Sequence, residues 1–182
     1  SPGIFNVVTG SRESAAIIGW VLSTHHDVRK ISFTGSTAVG KILMKQAADT
    51  VKRVSLELGG NAPFIVFESA NLDMAVEGAI ASKFRNAGQT CICANRIYVQ
   101  DTIYDAFAAE LAAKVRAMKI GAGDEEGVMI GPLINERGLA KVKAHVADAL
   151  QKGGQLVCGG KSHPAGALFY EPTVIKNMTA DM

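Results

Sequence analysis

Residues 85–93 read Arg-Asn-Ala-Gly-Gln-Thr-Cys-Ile-Cys, and this stretch follows the end of a predicted helix. Apolar residues at helical spacing predict that helix from Asn71 to Arg85, where a glycine soon ends it. A thiol on the Gly-Gln-Thr turn would be held by the backbone and open to solvent, as a thiolate nucleophile must be. A purely structural Cys-x-Cys turn is the alternative. This stretch alone leaves both interpretations open.

Strand and helix patterns alternate on both sides of this stretch. The predicted strands are Ile4–Thr9, Lys30–Thr34, Arg53–Leu58, Pro63–Phe67, Arg96–Val99, Leu156–Cys158 and Tyr170–Ile175. Between them lie predicted helices over 13–22, 39–48, 71–85 and 135–150, and one that begins near Thr102. Such alternation predicts an α/β fold with parallel sheets and βαβ layers. The pattern restarts after Gly59-Gly60, which predicts two domains, 1–58 and 59–182.

Composition excludes several classes of function. The chain has 182 residues, 48% of them hydrophobic, and a net charge of +2 from 19 basic and 17 acidic residues. No basic run marks a nucleic-acid partner, and no apolar run approaches the roughly 20 residues of a membrane span. Three cysteines are too few for a disulfide framework, so we expect a reducing, cytoplasmic location. The chain begins Ser-Pro-Gly without Met, and we expect it to be a piece of a longer protein.

The segment Phe33-Thr34-Gly35-Ser36-Thr37-Ala38-Val39-Gly40 joins a predicted strand to a predicted helix. Free N–H groups at a helix N-terminus, with nearby hydroxyls, suit a phosphate group. A capped turn is the alternative, because Ser and Thr are ordinary N-cap residues. The Gly-x-Gly-x-x-Gly fingerprint of dinucleotide-binding domains is missing.

Three other features could carry chemistry. Glu57 interrupts an apolar strand at its carboxyl end, where parallel sheets place ligands, and burial in the strand could prepare it to act as a general base, or it could face solvent. Arg85 could bind an anionic substrate, support the thiolate or complement the helix dipole. Cys158 lies in an apolar strand and is expected in the core. The four histidines show no spacing typical of a metal site, and we predict none.

Together these segments resemble the aldehyde dehydrogenase family. The matching motifs are Phe33–Thr37, Leu56–Gly60 and Gly88–Cys91, in the same order and at similar spacing. Within that family, three longer segments resemble the succinate-semialdehyde dehydrogenases: Glu57–Phe67, Ala81–Gln100 and Gly131–Asn135. The resemblance covers the whole chain. It implies the end of a Rossmann-like NAD(P)-binding domain followed by the first part of a catalytic domain.

The resemblance also assigns roles to individual residues. Cys91 would be the nucleophile and Glu57 the base that activates water. Gly35, Ser36, Glu57 and Leu58 would contact NAD or NADP. Many aldehyde dehydrogenases carry an uncharged residue in place of Arg85, and we predict separately that Arg85 binds the distal carboxylate of the substrate, a small aldehyde. The implied reaction oxidises succinate semialdehyde to succinate, a step of 4-aminobutyrate degradation, in a homo-oligomer (dimer or tetramer).

Two alternatives remain beside this reaction. The substrate could be a related semialdehyde such as glutarate semialdehyde. The chain could also be a noncatalytic fragment, because family members carry an oxyanion-hole Asn upstream and a ribose-binding carboxylate downstream of the matching segments. We expect the 182 residues alone to be inactive.

The resemblance further implies that Cys91 and Cys93 form a reversible disulfide, as a similar pair does in some succinate-semialdehyde dehydrogenases. A bridge between residues two apart needs a bent turn, so it should be strained and easily reduced. We predict that peroxide reversibly inactivates the intact enzyme and that Cys93→Ala abolishes the reversible part. Equal reversible inactivation of the variant would contradict the disulfide.

Overall fold

The computed structural model describes residues 2–182, which divide into two compact units, the first ending at Gly60 and the second spanning Asn61–Met182. Each unit combines helices with a parallel pair of strands, which confirms the predicted α/β class. The assignment of 1–58 and 59–182 to cofactor-binding and catalytic domains stays a prediction. Among the helices of residues 2–182, none is both long enough and apolar enough to cross a bilayer.

The first unit is built on two parallel strands joined by a helix. Its elements are α1 (Ala15–Thr24), β1 (Lys30–Gly35), α2 (Thr37–Ala48) and β2 (Arg53–Leu58). The register pairs Thr34 with Glu57 and Gly35 with Leu58, so both strands end at one edge of the sheet. Helix α2 packs on one face of this pair. A Cβ on Gly40 would lie 2.9 Å from a methyl group of Leu58, so the glycine allows this close approach.

The predicted strand Ile4–Thr9 is wrong. These residues form no strand, and the large apolar side chains of Ile4, Phe5, Val7 and Val8 are all exposed. A strand requires a neighbour that accepts its backbone hydrogen bonds. Within the described residues, β1 has β2 as its one partner, so the apolar pattern finds no second strand to pair with.

The second unit begins with another parallel strand–helix–strand motif. It contains β3 (Ala62–Val66), α3 (Leu72–Lys83) and β4 (Ala94–Val99), followed by α4 (Asp101–Arg116). The Asn71 side chain caps α3 by accepting a hydrogen bond from the Met74 backbone at 3.0 Å. Helix α4 begins one residue before Thr102, whose hydroxyl donates to Glu68 instead of capping the helix. The core of this unit consists of Val66, Val76, Ala79, Phe107, Leu111, Ala112, Val115, Met118, Ile130 and Cys158.

The rest of the second unit carries α5 (Glu136–Gln151) and an antiparallel pair, β5 (Gln155–Cys158) and β6 (Val174–Lys176). The last strand is shorter than the predicted Tyr170–Ile175, because Tyr170 pairs separately with Ser162. Asn135 caps α5 through a bond from the Gly138 backbone at 2.9 Å. A second small cluster joins Leu133, Leu139 and Tyr170, and it fixes the chain just before α5.

Candidate active site

The turn that leads to Cys91 has an unusual backbone. After α3 ends at Lys83, the residues Arg85–Gly88 form one turn of 3₁₀ helix. Within it, Asn86 and Ala87 have φ angles of 52° and 54°, and Gly88 has a φ of 76°. A left-handed conformation costs a residue with a Cβ about 1–2 kcal/mol. Two such residues in succession, Asn86 and Ala87, therefore need other interactions to hold them.

Backbone and side-chain hydrogen bonds close this turn. The Gln89 backbone N–H donates to the Asn86 carbonyl at 3.1 Å, and the Asn86 side-chain amide donates back to the Gln89 carbonyl at 3.2 Å. The Thr90 hydroxyl donates to the carbonyl of Arg85 at 3.4 Å, and the Cys93 N–H donates to the carbonyl of Thr90 at 3.1 Å. Cys91 thus lies inside the turn that the bond from Cys93 to Thr90 closes, directly after the turn that Gln89 and Asn86 close.

The Gln89 side chain connects this turn to a segment more than 40 residues away. Its Nε2 donates to the Pro132 carbonyl at 3.3 Å, and its Oε1 accepts from the Ile134 N–H at 2.9 Å. Sequence analysis missed this residue, because a single glutamine in a turn gives no signal of a distant partner. One signal was available in the sequence. Both segments, 88–91 and 131–135, resemble the same family, which is consistent with a joint role.

The three cysteines occupy different environments. Cys91 is exposed, and within residues 2–182 its backbone N–H donates to no acceptor, so this N–H is open to a ligand. Cys93 is 1% exposed, and its thiol lies 4.0 Å from the Arg85 carbonyl. Cys158 is buried as predicted, and burial raises the pKa of its thiol. All three thiols are free. The predicted Cys91–Cys93 disulfide stays a prediction.

Two cations, Lys83 and Arg85, lie at the start of the turn. Arg85 is exposed, and its guanidinium forms no ion pair or hydrogen bond with any residue of 2–182, which leaves it available to an anionic ligand. Lys83 is half-buried, and its Nζ donates to Asn95 Oδ1 at 2.8 Å. Burial lowers the pKa of Lys83, and the nearby Cys93 opposes that shift. Lys83 therefore acts as part of the structure, while Arg85 is free to bind.

The first unit gathers its own set of predicted residues. Gly35, Ser36, Glu57 and Leu58 all lie where β1 and β2 end at their carboxyl termini. The Ser36 hydroxyl caps α2 by accepting from the Val39 N–H at 3.3 Å, so the N-cap alternative for this segment describes one of its roles. Glu57 is exposed, which corrects the expectation that strand burial could prepare it as a base. Arg85, Cys91 and Cys93 come together in the second unit.

His25, His26 and Asp27 bring one potential ligand atom each to within 4.8 Å of one another. Their spacing in the sequence is not typical of a metal site. All three residues are exposed, and the Asp27 N–H already donates to His25 Nδ1 at 3.3 Å. We assign no metal to it, because that hydrogen bond uses the lone pair a metal would need.

Comparison with known proteins identifies the family. The family model described as "Aldehyde dehydrogenase family" matches residues 1–182. The chain belongs to the aldehyde dehydrogenase family. The roles assigned above to Cys91, Gly35 and Glu57 stay predictions.

Curated relatives share more than half of their aligned residues with this chain. A 3-sulfolactaldehyde dehydrogenase from Pseudomonas putida is 60% identical over 180 residues, which are 99% of this chain and 36% of that protein. The Escherichia coli succinate-semialdehyde dehydrogenase [NADP(+)] GabD is 59% identical over 98% of this chain and 36% of its own length. A glutarate-semialdehyde dehydrogenase from Pseudomonas aeruginosa is 56% identical over 95% of this chain and 35% of its own length. The chain thus spans about a third of the length of these aldehyde dehydrogenases.

A solved structure has the same fold over nearly the whole chain. The crystal structure of an Escherichia coli NADP-dependent enzyme superposes with a TM-score of 0.93 at 58% identity. The alignment covers 98% of this chain and 37% of that one. The α/β arrangement described above is therefore the arrangement of the aldehyde dehydrogenase fold in this region.

We predict that Cys91 is the most reactive of the three thiols. Brief treatment of the folded chain with iodoacetamide should label Cys91 first, because Cys93 is buried and burial raises the pKa of Cys158. Peptide mapping by mass spectrometry would give the label at each cysteine. The same reaction in denaturant, where all three thiols should react alike, is the control. Predominant labelling of Cys93 or Cys158 in the folded chain would contradict the assignment.

Proposed function

We propose that the enzyme containing this chain oxidises succinate semialdehyde to succinate, with NAD or NADP as the hydride acceptor. The observation that carries the proposal is the exposed Cys91 on its hydrogen-bonded turn, six residues after an exposed Arg85 that has no partner among residues 2–182. The first supplies a nucleophile and the second recognises an anion. Membership of the aldehyde dehydrogenase family supports the reaction type.

Cys91 begins the reaction. Its thiolate sulfur adds to the aldehyde carbon, which forms a C–S bond and leaves the negative charge on the former carbonyl oxygen. The backbone N–H of Cys91, which has no acceptor within the described chain, would donate to that oxygen as one half of an oxyanion hole. The product of this step is a thiohemiacetal on Cys91.

Oxidation and hydrolysis follow. Gly35, Ser36 and Leu58 would hold NAD or NADP, which when bound would supply the hydride acceptor needed to oxidise a thiohemiacetal to a thioester. Glu57 would then take a proton from water, whose oxygen attacks the thioester carbonyl and releases the acid and the Cys91 thiolate. Each turnover consumes aldehyde, oxidised cofactor and water and yields acid, reduced cofactor and a proton.

The first unit has features that fit the cofactor's diphosphate. The first N–H groups of a helix lack intrahelical partners, and the Ser36 cap satisfies one of those of α2. The remaining N–H groups and the positive end of the helix dipole favour a phosphate beside Gly35 and Ser36. Leu58 pairs with Gly35 across the strands, so it lies at the same edge. The choice between NAD and NADP stays open.

The substrate class rests on charge. The three curated relatives are named for sulfolactaldehyde, succinate semialdehyde and glutarate semialdehyde, each an aldehyde with an anionic group at its other end. A guanidinium binds a carboxylate with paired hydrogen bonds. To bind a substrate carboxylate in this way, it must not already be paired with a carboxylate of the protein. Arg85 meets that condition within the described chain. Glutarate semialdehyde is the alternative substrate of the same class.

We predict that Arg85→Ala in the intact enzyme lowers kcat/KM for succinate semialdehyde by roughly 10- to 150-fold, because a charged hydrogen bond contributes about 1.5–3 kcal/mol. The loss should fall mainly on KM if the contact is equally strong in the ground and transition states. Steady-state production of reduced cofactor would measure both constants.

We also propose that the intact enzyme assembles as a homo-oligomer. Light scattering of the intact enzyme would test this.

Two controls sharpen the Arg85→Ala experiment. Butanal has no carboxylate, so Arg85→Ala should change its oxidation little. Arg96→Ala removes another exposed arginine of the second unit and should leave both substrates unaffected. If Arg85→Ala slows both aldehydes equally, Arg85 supports the turn or the thiolate, and the assignment of a distal carboxylate falls.

A further inference from the structure

The Gln89 side chain makes three hydrogen bonds that bring two distant segments together. Besides its bonds to Pro132 and Ile134, its Nε2 donates to the Asn86 carbonyl at 3.3 Å. A glutamine amide offers one acceptor oxygen and two N–H donors, and here both kinds of group are used. Such a side chain on the surface of a turn is usually solvated, so this degree of pairing is a structural feature that needs a reason.

The distant segment is itself held firmly. The Leu133 side chain is buried against Leu139 and Tyr170, and the Leu133 N–H donates to the Leu168 carbonyl at 3.0 Å. Asn135 is bonded as the N-cap of α5. Because the residues on both sides are fixed, the Pro132 carbonyl and the Ile134 N–H are presented to Gln89 in a fixed orientation.

The near segment is the strained one. The Asn86 carbonyl accepts from both the backbone and the side chain of Gln89, and the Asn86 side chain donates to the Gln89 carbonyl. These bonds join the first left-handed residue of the turn to the residue after the last one. Residues with a strained backbone persist only where several surrounding interactions hold them, and they are common at active sites.

We propose that Gln89 is a positioning residue: it ties the left-handed turn 86–88 to the fixed segment 132–134 and thereby holds Cys91, two residues later, in its reactive position. This inference rests on the proposed function, because it assumes that Cys91 is the nucleophile. In this role Gln89 acts through Cys91 and not by contact with the aldehyde or the cofactor. Its effect is on the position of the Cys91 sulfur and N–H, where small displacements reduce catalysis strongly.

We call the three side-chain hydrogen bonds of Gln89, to Asn86, Pro132 and Ile134, the Gln89 bridge. Two substitutions separate its parts. Gln89→Glu keeps an oxygen for the Ile134 N–H but sets a second oxygen against the carbonyls of Asn86 and Pro132. Gln89→Leu removes all three bonds. Gln155→Glu is the matched control, because it makes the same charge change at an exposed glutamine of β5 in the same unit.

The test of the bridge is amide hydrogen exchange by NMR. Exchange of the Cys93 N–H, which closes the following turn, should be roughly 10- to 100-fold faster in both Gln89 variants, as expected from the loss of two or more neutral hydrogen bonds. The Ile134 N–H should exchange faster in Gln89→Leu but change little in Gln89→Glu. Gln155→Glu should leave both rates unchanged. Unchanged Cys93 and Ile134 exchange in folded Gln89→Leu would overturn the bridge.

The test of positioning is the kinetics of the intact enzyme. At neutral pH, Gln89→Glu should lower kcat by roughly 10- to 100-fold with KM within about twofold of the parent, because binding groups are untouched while the reacting atoms shift. The ratio of its kcat to that of the parent should rise as pH falls through about 5 to 4, where a carboxyl takes up a proton and can donate. The ratio for Gln89→Leu should stay flat.

Each outcome decides a separate point. Faster exchange with unchanged kcat would overturn the positioning role and leave a structural bridge. A ratio for Gln89→Glu that stays as flat as that for Gln89→Leu would contradict the bond between the amide and the two carbonyls. A parent enzyme that oxidises no aldehyde would overturn the proposed function, while the exchange rates would still show whether the bridge exists.

Discussion

The reactive turn of this chain depends on two backbone carbonyls. Those of Arg85 and Asn86 accept hydrogen bonds from Thr90 and Gln89, and these bonds hold three successive residues in the left-handed conformation. Glycine adopts that conformation without cost, but Asn86 and Ala87 do so only because the bonds compensate for the strain. The helix before the turn and the strand after it set where its ends lie, since both pack into the main core of the second unit.

The rest of the site follows from this constraint. The hydrogen bonds that close the turn leave the Cys91 thiol exposed and its N–H without an acceptor in the part of the chain that the structure describes, while the Cys93 side chain is buried. The same geometry ends α3 at a point where Arg85 faces solvent and Lys83 bonds to Asn95. Within residues 2–182, the exposed thiol, the open N–H of Cys91 and the unpaired guanidinium of Arg85 thus follow from one local backbone conformation, and the proposed anionic aldehyde would use all three.

Much of this arrangement could be predicted from the sequence. The strands β1 and β2, the helix α3 with its Asn71 cap and the contrast between exposed Cys91 and buried Cys158 all follow from local patterns of polarity and capping. The strand at Ile4–Thr9 could not be judged, because pairing depends on a neighbour and not on the strand's own residues. The Gln89 bridge was also beyond reach, since its partners are backbone atoms, which leave no mark in the sequence.

We propose that Cys91 forms a thioester and that Glu57 activates the water that hydrolyses it. Trapping the thioester would test both roles in one experiment. The Glu57→Gln variant of the intact enzyme would be mixed with succinate semialdehyde and oxidised cofactor, quenched in acid, and its peptides weighed by mass spectrometry. Because hydrolysis is slowed, the account predicts that a succinyl group accumulates on the Cys91 peptide, with about one reduced cofactor formed per chain. Continued turnover without an adduct, or an adduct on another side chain, would contradict it.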